Sequence, residues 1–217
     1  MKRSYLLIKL DTDGKLLYDF LGTDKGVFEK TMDEAGVIVD YVDAKIGGKD
    51  YWQVSYDELQ IIYAVVKLKR PKLVVETGVG PGTTTTAILS AMRGTKGMLV
   101  SFDLGVKYGE EKDTIPVGWV IPEDLKSRWK LVIGDSRVTL EKTIRDYGEI
   151  NIFFHDSEHE YDHVMFELNT AKKYAGKKPL FIVDNYDWTD APARFAQNNS
   201  YKLVNAADDL CLIFPQA

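Results

Sequence analysis

The apolar positions of this chain follow two rhythms. Short runs rich in β-branched and aromatic residues, Leu73–Val75, Met98–Phe102, Lys130–Ile133, Ile150–Phe154 and Leu180–Val183, read as strands buried on both faces. Between them the apolar residues return at helical spacing. Ala87, Ile88, Ala91 and Met92 mark one helix and Val138–Tyr147 holds another. Val164, Leu168, Ala171 and Ala175 form one face of a third, which ends at Gly176. Strand and helix in alternation predict a parallel sheet with helices on both faces. Tyr201–Asn205 and Leu210–Phe214 lie close enough for a closing antiparallel hairpin. The expected architecture is α/β, a doubly wound and mainly parallel seven-stranded sheet.

Ahead of the sheet the pattern changes. Tyr5–Leu10 and Lys15–Phe20 flank Asp11-Thr12-Asp13-Gly14, a hairpin signal. From Asp24 to Val42 the apolar residues Val27, Phe28, Met32, Val37 and Val39 predict one or two short helices, broken near Gly36. Ser55-Tyr56-Asp57-Glu58 is a capping box ahead of Leu59, Ile61, Ile62, Val65, Val66 and Leu68, a helix that stops at Pro71. Residues 1–54 thus read as a cap of hairpin and short helices, and 55–217 as the main domain. The segment from Gly105 to Asp124 carries three glycines and two prolines and reads as a long loop with a lid role.

Composition narrows the function classes. With 45% hydrophobic and 28% charged residues, the chain suits a compact domain with a real core. A net charge of −5 lacks the basic footprint of a nucleic-acid binder and favours a small-molecule substrate. No apolar run approaches the roughly 20 residues that span a bilayer, so no membrane partner is expected. The single cysteine, Cys211, sits in an apolar run and fits a reducing cytoplasm.

Chemistry concentrates first at Glu76-Thr77-Gly78-Val79-Gly80-Pro81-Gly82-Thr83-Thr84, where a buried strand empties into glycines at alternate positions and then a helix. Such a turn lets a ligand press against main-chain N–H groups at a helix N-terminus, a nucleotide-type site. A dinucleotide fingerprint needs glycine at 83, where Thr83 stands, and a phosphate-cradling loop needs a lysine that is absent. The motif E-x-G-x-G-x-G resembles the first motif of the class I S-adenosylmethionine-dependent methyltransferases, whose glycine turn accommodates the methionine part of the cofactor.

Acids at the strand ends extend the pattern, because open parallel sheets bind ligands beyond the carboxyl ends of their strands. Glu76, Asp103, Asp135, Asp156 and Asp184 end five successive strands. An isolated strand-end Asp is as readily a helix N-cap, but five in register are harder to explain that way. Asp103 is spaced from the glycine turn as a ribose-binding acid would be, and Asp135 suits an exocyclic amine. The layout resembles the methyltransferase family over Lys72 to Pro215. That resemblance implies S-adenosylmethionine held by Gln53, Val54, Glu76, Gly78, Gly80, Thr83, Thr84, Asp103, Gly134, Asp135, Ser136 and Asp156.

A second constellation is His155-Asp156-Ser157-Glu158-His159 with Asp184-Asn185 downstream. Asp156, Asp184 and Asn185 offer three hard oxygens, which suit Mg²⁺ or another divalent cation. The set is similar to that of the metal-dependent O-methyltransferases of catechol and caffeoyl type. Those enzymes place a lysine where this chain has His159, whereas the metal-dependent sugar O-methyltransferases of macrolide assembly resemble this chain in using histidine. His159 is the expected base and Asp156 its catalytic partner. His163 reads as a residue of a solvated helix face. His155 on its strand is expected to point away from His159 and His163, which discounts a three-histidine metal cluster. Tyr51, Trp52, Tyr186 and Trp188 are placed to wall the pocket.

The resemblance implies methyl transfer to a hydroxyl of a small molecule, with a homodimer expected by analogy. Alternatives are a metal-independent methyltransferase, an aminopropyl-type transferase, or a cofactor-binding module with vestigial catalytic residues.

Overall fold

The computed structural model describes residues 14–105 and 116–216. A helix over 14–21 (α1) leads to α2 (Lys25–Glu34), α3 (Gly36–Ile46) and α4 (Tyr56–Lys69). The chain then alternates: β1 (Leu73–Thr77), α5 (Thr83–Ala91), β2 (Met98–Asp103), a 3₁₀ turn at Glu123–Arg128, β3 (Trp129–Ile133) and α6 (Ser136–Ile144). It continues through β4 (Ile150–His155), α7 (Tyr161–Lys173), β5 (Ala175–Val183), α8 (Ala191–Asn198), β6 (Tyr201–Asn205) and β7 (Cys211–Pro215). One seven-stranded sheet results, in the order β3-β2-β1-β4-β5-β7-β6. The first five strands are parallel, and β7 runs antiparallel to both of its neighbours.

Alternate side chains of each strand enter two separate cores. Val74, Leu99, Ile152, Phe154, Ile182 and Leu212 pack under α1–α5, while Val75, Val100, Phe153, Phe181 and Ile213 pack under α6, α7 and α8. The helix α4 shows why the sequence folds so locally. Ser55 Oγ accepts from Glu58 N and a Glu58 carboxylate oxygen accepts from Ser55 N, closing the expected capping box, which is worth about 1 kcal/mol. Behind it Leu59, Ile61, Ile62, Val65 and Val66 are buried, each contributing roughly 1.5–3 kcal/mol of apolar burial.

Two expectations fail here. Lys15–Phe20 lies within α1, not a hairpin strand; Leu17 and Tyr18 instead enter the core, where Tyr18 meets Phe28 at 5.4 Å between ring centroids. The other half of that hairpin, Tyr5–Leu10, lies outside the described residues. The described part of the 105–124 segment is docked, not lid-like. Gly118 N and Val120 N donate to the carbonyls of Gly80 and Pro81, and Val120, Ile121 and Leu125 are buried. Among the described residues no helix is long and apolar enough to cross a membrane.

Candidate active site

In strand order, β1 and β4 are neighbours whose connections leave in opposite directions, and a crevice opens at such a point beyond the strand ends. Here it is a cavity of about 1010 Å³, large enough for a cofactor and an acceptor together. Its wall includes Gln53, Val54, Gly78, Gly80, Thr83, Asp103, Gly134, Asp135, Ser136, Asp156, His159, Asp184 and Asn185, as well as Tyr51, Trp52 and Trp188. Three expected residues do not line it. Glu76 is fully buried, accepting from Thr85 Oγ1 at 2.8 Å and Ser101 Oγ at 2.6 Å, so it braces α5 and β2 behind the wall. Thr84 is buried within α5, and Tyr186 lies behind the wall, accepting from Asn205 Nδ2 at 2.8 Å.

The glycine turn works differently from its sequence reading. Its amides are consumed by the protein: Gly78 N donates to Phe102 O, Val79 N and Gly80 N donate to Asp103 Oδ2 at 3.0 and 3.1 Å, and Gly82 N donates to Val79 O. Gly78 has φ +81°, and a Cβ there would lie 1.7 Å from the carbonyl oxygen of Asp156. A Cβ on Gly82 would meet Ile121 at 2.7 Å. These glycines are required by close approach of the chain to itself. Asp103 holds the turn with one oxygen and Gly105 N with the other, which still leaves lone pairs toward the cavity. Asp135 does serve as the N-cap of α6, accepting from Arg137 N at 2.8 Å.

Beside the turn, acids converge from distant elements. Ligand atoms of Asp156, His159 and Asp184 lie within 4.8 Å of one another, and so do those of Glu58, Asp184 and Asp209. Burial and mutual repulsion raise the acids. Asp156 is pushed well above the usual carboxylate range by burial and then by Asp184, Asp184 rises to about 6 through burial and Asp209, and Glu58 rises to about 8 through burial and its contact with Asp209. Burial, aided by the neighbouring His155, lowers His159 to about 4, so its imidazole is neutral at physiological pH. Its Nδ1 is buried without a hydrogen-bond partner. Asn185 follows with φ +50° and donates from its amide to Asp184, and Trp52 at the mouth has φ +59°; such strain at a cavity wall is typical of functional sites.

The histidines depart from expectation. His159 stands in the loop before α7, and the His155 ring meets it edge-on at 5.5 Å instead of pointing away. His163 is buried, not solvated, with Nε2 3.1 Å from Ser136 Oγ and 2.9 Å from Glu167 Oε1. Glu167, which sequence reasoning missed, is the hub. Its carboxylate accepts from Thr77 Oγ1 at 2.6 Å, from Ser157 Oγ at 3.1 Å, and lies 2.7 Å from His155 Nδ1. The available signal was an acid one turn after His163, on the face of α7 that also buries Val164, Leu168 and Ala171. Trp188 closes the other side, 5.2 Å from His159 between centroids.

A doubly wound sheet with a terminal antiparallel hairpin and an acid-walled crevice beside a glycine turn defines a Rossmann-like methyltransferase fold. Solved structures share it. A methyltransferase from Geobacter sulfurreducens superposes with a TM-score of 0.61 at 16% identity, covering 85% of this chain and 90% of that one. The SAH-bound methyltransferase PaMTH1 of Podospora anserina gives 0.61 at 14%, covering 83% and 87%, and an O-methyltransferase of Bacillus cereus in complex with SAH gives 0.60 at 14%, covering 98% and 100%. No curated protein matches the sequence. A family model described as "Methyltransferase domain" matches residues 75–186, just over half the chain, and the chain belongs to that family.

Proposed function

We propose that this protein is an S-adenosylmethionine-dependent O-methyltransferase that acts on a hydroxyl of a small molecule with the help of a divalent cation. The observation that carries the reading is the meeting of Asp156, His159 and Asp184 in the wall of the cavity that the glycine turn also lines. The SAH-bound neighbours support the donor, and the two carboxylates Asp156 and Asp184 with the neighbouring Asn185 amide offer oxygens that fit a hard cation such as Mg²⁺.

When bound, S-adenosylmethionine supplies an electrophilic methyl group on a sulfonium. Asp156, Asp184 and Asn185 would hold the cation, which supplies Lewis-acid chemistry that eases loss of a hydroxyl proton. The remaining work falls to the chain. Val54, Gly78, Gly80, Thr83, Asp103, Gly134, Asp135 and Ser136 form the donor side of the cavity. His159, neutral and braced between His155 and Trp188, accepts the acceptor's proton at a ring nitrogen. Trp52, Tyr51 and Trp188 exclude water around the reacting oxygen. A second reading makes His159 a ligand, favoured by its unpartnered Nδ1 and by a pKa low for a base. His159→Ala separates the two: loss of rate with cation affinity intact assigns the base, and loss of cation affinity assigns the ligand.

Isothermal titration with S-adenosylmethionine tests the reading as a whole, and absence of binding at millimolar donor would sink it. Asp184→Ala is expected to abolish cation-stimulated transfer while leaving donor affinity nearly intact; equal wild-type activity in chelator would refute the cation's part.

A further inference from the structure

The acids beside the proposed site outnumber what one cation needs. Glu58 opens α4, Asp184 ends β5 and Asp209 lies in the turn between β6 and β7, so the fold alone brings them together. Their ligand atoms lie within 4.8 Å of one another. Glu58 is 3% exposed. Its Oε2 accepts from Ser55 N at 2.9 Å and Ser55 Oγ at 2.8 Å, whereas its Oε1 is buried with no hydrogen-bond partner. That carboxylate faces Asp209, another acceptor, so the contact needs a shared proton or a cation between them. Among the described residues, no lysine or arginine forms an ion pair with Glu58, Asp156, Asp184 or Asp209. Fully ionised, four carboxylates on one wall would carry a charge that one divalent cation halves and two neutralise.

We propose that Glu58, Asp184 and Asp209 form a second divalent-cation site, joined through the shared Asp184 to the site on its Asp156 side. Three carboxylates make an all-oxygen set and suit Mg²⁺, Mn²⁺ or Ca²⁺. A bridging carboxylate between two cations is a familiar arrangement in group-transfer sites. A cation here ties the start of α4 and the β6–β7 turn to the end of β5, three pieces of wall with no covalent continuity. The second site rests on the proposed function only through Asp184.

Titration of Mn²⁺ alone into the full chain tests it. Wild type is expected to take up two ions, and Glu58→Gln and Asp209→Asn one each. Glutamine at this position keeps the capping box, so α4 is retained, and Asp209→Asn reads the same site without touching the helix. An uptake of two that neither variant lowers, with the acids held by shared protons, overturns the second site. A wild-type uptake of one, lost in Asp156→Asn and kept in Glu58→Gln, overturns it too and leaves the first site standing. An uptake of one lost in Glu58→Gln and kept in Asp156→Asn supports the second site and removes the first. No uptake overturns both. Donor titration of Glu58→Gln and Asp209→Asn, with affinity expected to be unchanged, separates these failures from failure of the methyltransferase reading.

Discussion

Replacing Glu167 by alanine removes the acceptor at the centre of the histidine cluster. Thr77 and His155 are fully buried and His163 is nearly so, so three buried hydrogen bonds to the carboxylate are lost, although Thr77 Oγ1 keeps Phe154 O at 3.5 Å and His163 Nε2 keeps Ser136 Oγ at 3.1 Å. A hydrogen bond to a charged group is worth about 1.5–3 kcal/mol, so losing three sets the loss at roughly 4 kcal/mol or more. For a domain of this length that lowers the melting temperature by about 10 °C, read by circular dichroism. Glu167→Gln keeps the volume and one acceptor oxygen and should lose about half as much. The pH dependence gives a second check. Burial alone would raise the Glu167 carboxyl, but hydrogen bonds from His155 and His163 more than offset it and hold it well below the usual carboxylate range. A depressed folded value means that the contribution is complete above the ordinary 4.5 and is lost as pH falls below it. The gap between wild type and Glu167→Ala should therefore be full at pH 7 and shrink on strong acidification. A melting temperature within about 3 °C of wild type at pH 7 would refute the hub.

Two further outcomes follow from buried geometry. Gly78→Ala places a Cβ against the Asp156 carbonyl, backbone against backbone, at positive φ, and should cost more than about 3 kcal/mol or abolish soluble expression; a variant with wild-type urea unfolding would contradict the contact. Burial, opposed by the Ser101 and Thr85 hydroxyls, raises Glu76 from 4.5 to about 7. A raised folded value means that its contribution is present below 4.5 and lost as pH climbs to about 7, roughly 3 kcal/mol in all. Urea unfolding at pH 5 and pH 8 should show wild type losing about that much more stability than Glu76→Gln, and parallel losses would refute the assignment.

Strong local signals were legible in the sequence. Four of the five strands read as buried on both faces, the Ser55–Glu58 box and the strand-end acids other than Glu76 depend on neighbours in the chain and appear where expected to within a few residues. By contrast β3 lies at the sheet edge, partly exposed along its length, with Ile133 55% exposed. The N-terminal hairpin misled because Asp13-Gly14 is a turn signal only between strands. Leu17, Phe20 and Leu21 also have helical spacing, and packing against α2 and the sheet decides between the two. Glu76 was misplaced by alternation: its side chain shares a face with Val74 and points at α5, not along the strand axis into the crevice. The meeting of Glu58 with Asp209, and of Glu167 with His155, joins residues whose proximity is set by how whole helices cross the sheet, and no local pattern encodes it.

The missing Cβ of Gly78 has a mechanical consequence. With the Asp156 carbonyl seated where that atom would be, and Asp156 N donating to Thr77 O at 2.9 Å, the donor-side loop and the acid-side loop are a single body. A ligand that displaces one displaces the other. Any preference that occupancy of the donor side creates for a cation on the acid side must then be returned in equal measure, so order of addition cannot change the affinity of the full complex. A residue with no side chain would thereby couple the two halves of the proposed site.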